Sequence, residues 1–412
     1  MDTNIGAKER VTQNRLIGLF KNVLKYTYLG NWETREGNAN IEETLLMAYL
    51  SRRSYTDKEI RSAIAKFKQA ANSLGGGLYN ANKEVYTLLR YGVNVQAEVT
   101  EKKKMVHLID WANPMENDFQ IAEEVTIQGE SDRRPDLVVY VNGIALAVIE
   151  LKRSTVSAHE GIRQNIRNQQ DGYIPRFFTT IQLLFAGNDT EGLHYGVIKT
   201  PEKFWLRWKE PCGEPCKPSR FTAEEYPNEL DRSVLQFFDP VRLLEYIHDF
   251  IIFDGGIKKA ARPNQYFAVK AAQPRICKKQ NGIIWHSQGS GKSLTMIWLA
   301  RWIRENVSDA RVVIITDRDE LDKQIESGFK DAGEQIQRAK SGGKLIKMLN
   351  AAEPWLICTL IHKFGNKNDG DAISVGNKKA SKSLDLYLEE LAKSLPADFR
   401  AKGNIYVFID EC

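Results

Sequence analysis

The spacing of apolar positions changes three times along the chain. Through the first ~100 residues it is helical. Ile41-Glu42-Glu43-Thr44-Leu45-Leu46 opens one amphipathic stretch. Thr56-Asp57-Lys58-Glu59-Ile60 opens another, with an N-cap residue followed by acids in the first turn, and Gly75-Gly76-Gly77 breaks the pattern. From ~105 to ~200 the pattern becomes short apolar runs: 106–110, 119–127, 136–141, 144–152 and 179–186, with a helix predicted over 157–170. Asn142-Gly143 joins the third and fourth runs, and Asn-Gly between two apolar runs is a strong hairpin signal. This predicts a mixed α/β domain of about 200 residues.

Residues 208–232 collect Pro, Lys, Glu and Cys and read as a surface excursion or interdomain linker. Beyond ~240 helical patterns alternate with continuous apolar runs at 282–286, 311–316, 355–359 and 404–409. Such runs are typical of parallel strands buried on both faces, so at least four strands of a doubly wound domain are predicted. No internal repeat is evident.

Composition narrows the class only modestly. A length of 412 residues suits two or three domains. No apolar stretch reaches the ~18 residues that span a bilayer, and the N-terminus shows no basic segment followed by an apolar one. Five cysteines, an odd number, suit a reducing cytoplasm. Cys212 and Cys216 have the spacing of half a zinc site, but no second close Cys or His pair accompanies them, and a plain loop is the simpler reading. A net charge of +5 permits nucleic-acid binding without arguing for it.

The chemistry is concentrated in two places. His286-Ser287-Gln288-Gly289-Ser290-Gly291-Lys292-Ser293 follows the apolar run Gly282–Trp285 and precedes a helical stretch. Strand, glycine-rich turn and helix N-terminus together form a phosphate cradle. Lys292 supplies a mobile cation for the β and γ phosphates, and Ser293 offers a hydroxyl to Mg²⁺. His286 stands where the usual P-loop has its first Gly. The run 404–409 ends in Asp410-Glu411, an acidic pair about 120 residues after the cradle. Asp-Glu at a strand end is by itself usually a solvated cap. Matched with a P-loop, it suits ATP hydrolysis, with Asp410 orienting Mg²⁺ and Glu411 acting as general base.

The second place is the hairpin at 135–152, with Asp136 at its entry and Glu150-Leu151-Lys152 at its exit. Two carboxylates brought together by strand pairing can hold Mg²⁺. A lysine two residues on shares a face with the glutamate and can orient water or stabilise a phosphorane. An ordinary Glu–Lys surface pair remains the alternative on spacing alone. Register sharpens the choice. A plain two-residue turn at Asn142-Gly143 pairs 136 with 149 and turns Glu150 away from Asp136. A shared metal therefore requires a shift of one residue, expected as a three-residue loop or a bulge at Gly143, or an Asp136 lying outside the ladder.

Taken in order, several segments resemble the R subunit of type I restriction enzymes: Arg134 to Lys152, Asn264 to Val269, Trp285 to Met296, Thr316 to Asp322, and Ile409-Asp410-Glu411. The resemblance runs from ~35 onward. It implies an α/β chain: a mixed-sheet, restriction-endonuclease-like PD-(D/E)xK domain, then a P-loop RecA-like parallel-sheet domain of a superfamily 2 motor. The boundaries expected on this basis are an extension at 1–35, a nuclease domain at 36–235 and a motor domain at 236–412.

By the same resemblance Asp136, Glu150 and Lys152 match the nuclease triad. Gln164 matches a glutamine on the following helix, although Asn168 replaces the tyrosine four residues on. Gln265 matches an adenine-reading glutamine, residues 286–293 and Asp410-Glu411 match the first two motor motifs, and Thr316-Asp317-Arg318 and Thr359 match segments facing the DNA backbone. The implied cofactors are ATP and Mg²⁺, and the implied partners are duplex DNA with methyltransferase (M) and specificity (S) subunits. The implied function is ATP-driven DNA translocation with DNA cleavage. A DNA-dependent ATPase that does not cut, or an inactive nucleotide- or DNA-binding fragment, are the competing readings. The sequence stops at Cys412, with no second RecA-like domain to bring an arginine to the γ-phosphate. A fragment that binds ATP weakly and hydrolyses it negligibly is the expectation.

Overall fold

The computed structural model describes residues 9–96, 102–211, 219–316, 319–339, 341–360, 395 and 399–410. The chain divides into two compact units, Met1–Phe267 and Ala268–Cys412.

The first unit is built on a seven-stranded mixed sheet. In chain order it contains α1 (Glu9–Asn22), β1 (Thr27–Asn31), α2 (Glu43–Arg52), α3 (Asp57–Asn72), α4 (Gly77–Tyr91) and a small hairpin of β2 (Val93–Val95) and β3 (Lys104–Val106). Next come β4 (Phe119–Glu123), β5 (Leu137–Val141), β6 (Ile144–Leu151), α5 (Ala158–Asn168), β7 (Leu183–Asn188), β8 (Gly192–Gly196) and β9 (Leu206–Arg207). The unit closes with α6 (Glu229–Phe237), α7 (Pro240–Asp249) and the hairpin of β10 (Ile251–Asp254) and β11 (Ile257–Ala260); α8 (Pro263–Cys277) runs across the division. The sheet order is β1-β4-β5-β6-β7-β8-β9. Antiparallel hairpins flank one parallel crossover, β6–α5–β7, and a second parallel pair joins β1 to β4.

Local chemistry accounts for the helices. Thr56 forms the full capping box with Glu59, as its sequence position predicted. Strands β4 to β7 are buried at every position, because α5 packs on β6 and β7. The compact division falls at Phe267, whereas the resemblance implied a boundary at 235/236. Aromatic packing shows why. Phe185 on β7 and Tyr195 on β8 pack against Phe237 of α6, which touches Trp208 and Tyr246 of α7, and Tyr246 in turn meets Tyr266 of α8. Trp208 and Phe221, inside the expected linker, are both buried. Helix α1, within the expected extension, packs on α6, β1 and β6. Cys212 and Cys216 lie outside the described residues.

The second unit holds α9 (Lys292–Asn306), β12 (Ala310–Thr316), α10 (Asp319–Asp331), β13 (Ile336–Ala339), α11 (Gly342–Asn350), β14 (Leu356–Leu360) and β15 (Asn404–Ile409). Among the described residues its four strands are all parallel, in the order β13-β14-β12-β15. Buried Arg311 donates to the carbonyls of Met348, Leu349, Ala351 and Pro354 and so fixes the end of α11. One expectation fails. Residues 282–286 join no ladder, and Ile283 and Trp285 are 83% and 91% exposed. An apolar run becomes a buried strand only where an edge receives it. Here β15 pairs with β12 alone among the described residues, and its Val407 and Ile409 are likewise exposed.

Candidate nuclease and nucleotide sites

The β5–β6 turn is as short as the sequence suggested. Asn142 and Gly143 both have positive φ, +53° and +78°, as the tight hairpin turn that matches strand twist requires. The Asn142 side chain accepts from the Asp118 amide at 2.8 Å and donates to Leu108 O at 2.9 Å. A Cβ on Gly143 would stand 2.7 Å from Leu45 Cβ and 2.8 Å from Glu42 O, so helix α2 needs glycine there as much as the turn does.

Register then decides the chemistry. Val141 pairs with Ile144 and Tyr140 with Ala145, but Val139 pairs with Ala147 and Leu137 with Ile149. Leu146 is the extra residue of a β-bulge. The expected shift is present, but at Leu146 and not at Gly143, three residues earlier. The bulged strand is held from its other side. Ala145 donates to Asn40 O at 2.9 Å, and Leu146 O accepts from the Gln182 amide at 2.8 Å. Continuing the shifted ladder by one step sets Asp136 opposite Glu150. Without the bulge the two would lie on opposite faces.

The pair is buried. Asp136 is 8% exposed and Glu150 0%. Asp136 Oδ2 accepts from the Leu151 amide at 2.6 Å. Glu150 Oε2 accepts from Gln164 Nε2 at 2.7 Å, while Glu150 Oε1 has no partner among the described residues. Helix α5 brings Gln164 in because Gly161 lets it approach closely. A Cβ at 161 would lie 3.3 Å from Glu150 Cβ. Asn168, one turn further, is fully buried. Lys152 Nζ lies 3.9 Å from Asp136 Oδ2 and donates to Leu151 O at 2.7 Å.

Electrostatics follow from this crowding. Burial pushes the Asp136 carboxyl up to about 6, against the opposing pull of Lys152 and the Leu151 amide. Burial also drives Glu150 well above the ordinary range, and the neighbouring Asp136 charge adds to it. For Lys152, burial alone lowers the pKa. Asp136, Glu150 and Glu9 outweigh it, and the ammonium is held charged above its usual range. Two enclosed carboxylates, one with an oxygen lacking a partner, suit a hard divalent cation that takes oxygen ligands and cancels their repulsion. A lysine beside them suits an anionic transition state.

Sequence reasoning missed Glu9, whose Oε1 lies 3.4 Å from Lys152 Nζ. It comes from α1, over 120 residues away from the hairpin, and nothing local marks it. Missed too was the knot at the end of β4. Glu123 and Glu124 are held by Gln13 at 3.0 and 3.1 Å, and Arg134 bonds Glu124 at 2.8 Å.

In the second unit Gly289 and Gly291 take positive φ, +76° and +86°, and Gly291 caps α9, which opens at Lys292. The Ser290 amide and hydroxyl both donate to Ser287 O, at 3.2 and 2.7 Å, closing a tight turn ahead of the helix. Lys292 and Ser293 are half-buried in the first turn, with His286 half-buried and Ser287, Gln288 and Gly289 exposed. Helix and glycine turn are therefore placed as a phosphate cradle requires, although the strand expected before them is not formed. Asp410, 8% exposed, follows β15 and donates its amide to Ile315 O at 3.0 Å. Thr316 and Thr359, both buried, sit on β12 and β14. Glu411, Asp317 and Arg318 fall outside the described residues. Gln265, 1% exposed, accepts from the Arg262 amide at 2.7 Å and so caps the start of α8.

Comparison with known proteins fits both halves. Residues 7–203 match the family model of the type I restriction enzyme R protein N terminus, and residues 264–412 match that of the SWI2/SNF2 ATPase. A putative type I restriction enzyme endonuclease subunit, MjaIXP, of Methanocaldococcus jannaschii is 27% identical over 400 residues, 88% of this chain and 38% of that protein. The HindI endonuclease subunit of Haemophilus influenzae is 27% identical over 338 residues, 76% of this chain and 31% of its own. A staphylococcal one, SauMSSORF170P of Staphylococcus aureus, is 25% identical over 68% of this chain and 30% of its own. The class the matches define is an α/β chain similar to an R protein N terminus in its first half and to a SWI2/SNF2 ATPase in its second. Along most of its length the chain resembles type I restriction enzyme R proteins, and it spans well under half the length of the relatives it matches.

Proposed function

We propose that this chain carries the cutting centre and the first nucleotide-binding half of the motor of a type I restriction enzyme. In this reading the mixed sheet is a restriction-endonuclease-like domain and the parallel sheet a RecA-like one. The observation that carries the nuclease part is the Leu146 bulge, which sets Asp136 opposite Glu150 in a ladder that would otherwise part them. Strands do not need such a bulge to bury leucine and valine.

In the proposed reaction Asp136 and Glu150 would hold Mg²⁺, which when bound would supply Lewis-acid chemistry to the scissile phosphate and a more acidic water. Gln164 fixes the Glu150 carboxylate through Oε2, leaving Oε1 directed for use. Lys152 carries its charge to the attacked phosphate, where negative charge accumulates as the water oxygen adds and the 3′ or 5′ oxygen leaves. The proton of the water passes to solvent, and the leaving oxygen takes a proton from solvent. In the motor half, the α9 N-terminus and Lys292 would bind the β and γ phosphates of ATP, Ser293 and Asp410 would hold its Mg²⁺, and Glu411 would act as base. Duplex DNA is the substrate, and M and S subunits supply recognition of its sequence.

The test uses the full-length R protein assembled with its M and S partners, on supercoiled plasmid with ATP and Mg²⁺. The proposal expects linear product from the parent and none from Glu150→Ala, with ATP consumed by both. Parent-like cutting by Glu150→Ala would remove the hairpin from the chemistry and leave a DNA-dependent ATPase.

A further inference from the structure

The nuclease site already contains an anion. Helix α1 crosses β6, and its first described turn places Glu9 Oε1 3.4 Å from Lys152 Nζ. One turn on, Gln13, 2% exposed, donates to Asp136 O at 3.4 Å and to Glu123 Oε2 at 3.0 Å, which pins the helix to the strand ends. Arg10 adds a 2.8 Å ion pair to Glu123. Lys152 thus stands between two carboxylates. Asp136, with its side chain 11% exposed, lies on the inner side, and Glu9, at 41%, lies toward solvent. Any phosphate approaching Lys152 from solvent arrives where Glu9 now is.

From this we infer that Glu9 is a positioning residue. It holds the Lys152 ammonium at the mouth of the site when no DNA is bound, and a backbone phosphate of duplex DNA displaces it. This rests on the nuclease reading above. The carboxylate oxygen occupies the place of a phosphate oxygen, keeps Lys152 from collapsing onto Asp136 and Glu150, and opposes entry of other polyanions. A half-exposed pair at 3.4 Å is weak, so a phosphate that brings further contacts replaces it easily. A deeper pair would shut the site.

Binding, not cleavage, tests this. The 412-residue chain is titrated onto a short fluorescent DNA duplex, with Ca²⁺ replacing Mg²⁺. Glu9→Gln keeps the shape, removes the charge, and is expected to tighten binding about three- to fivefold, the scale of one exposed ion pair. Glu9→Asp, which keeps the charge, returns the affinity toward the parent. In a Lys152→Met background the gain from Glu9→Gln falls below about twofold, because the competitor no longer has an object. Unchanged or weaker binding by Glu9→Gln, or an equal gain with and without Lys152, overturns the inference. If Lys152→Met itself leaves the parent affinity untouched, the nuclease reading of the site fails first, and this inference with it.

Discussion

The two sites are built in opposite ways. The proposed nuclease pair is enclosed, with both carboxylates buried and bonded to backbone or to α5, and its two members share a face only because a register shift is held from several directions. The phosphate cradle is local: two positive-φ glycines, a serine turn and a helix start, with much of the loop exposed. A local site is specified by adjacent residues and can form before its surroundings are complete. A register-built site needs the whole sheet, and burying its charges costs stability until a cation arrives.

Removing either part should show that difference. The largest effect is expected from Asp136→Ala or Glu150→Ala in the complete enzyme, a loss of about 10³-fold or more in plasmid cleavage with ATP turnover retained. Cleavage rates and phosphate release, measured on the same sample, check it. Lys292→Ala is expected to weaken nucleotide binding or turnover about 100-fold, read by calorimetry with Mg²⁺ and ATP, and to leave Mn²⁺ binding at the hairpin unchanged.

Gly143→Ala attacks the register. Strain at φ +78° and a 2.7 Å clash with Leu45 predict about 2–3 kcal/mol lost in urea unfolding of the first unit's transition, with Gly289→Ala milder because it meets similar strain at φ +76° but no clash among the described residues. The smallest expected effect runs the other way. Without divalent metal, Glu150→Gln should raise the melting temperature by a few degrees, because it removes a charge that burial and Asp136 both oppose.

The pH dependence has a definite sign. The Asp136 carboxyl is raised to about 6 in the folded chain from its ordinary 3.8, so between these values the folded state holds the extra proton. Metal-free stability therefore falls as pH rises through this window. Metal affinity does the reverse. It weakens as pH drops below about 6, because the cation needs the deprotonated carboxylate. Calorimetric Mn²⁺ titrations at several pH values and thermal melts in chelator check the two halves.

How much of this could be read from the sequence follows the same division. Asn142-Gly143, the Thr56 cap and the glycine turn that opens α9 are short-range patterns, and each lies where it was expected. The need for a register shift was also legible, from parity alone. Its position was not, because Leu146 bulges in response to Asn40 and Gln182, both remote in sequence. Glu9 was invisible for the same reason. The run 282–286 misled because hydrophobicity reports that a segment prefers burial and not which edge accepts it. Trp208 and Phe221 were lost among the Pro, Lys and Glu around them, although they anchor that stretch to the aromatic core.

The central claim is that the Leu146 bulge exists to make one metal site from Asp136 and Glu150. Anomalous diffraction from crystals of this chain soaked in Mn²⁺ tests it directly. The account predicts one ion bound by both carboxylates at ligand distances of about 2.1 Å, using the Glu150 oxygen that now lacks a partner. No ion between them at saturating Mn²⁺, with the hairpin register intact, would contradict it.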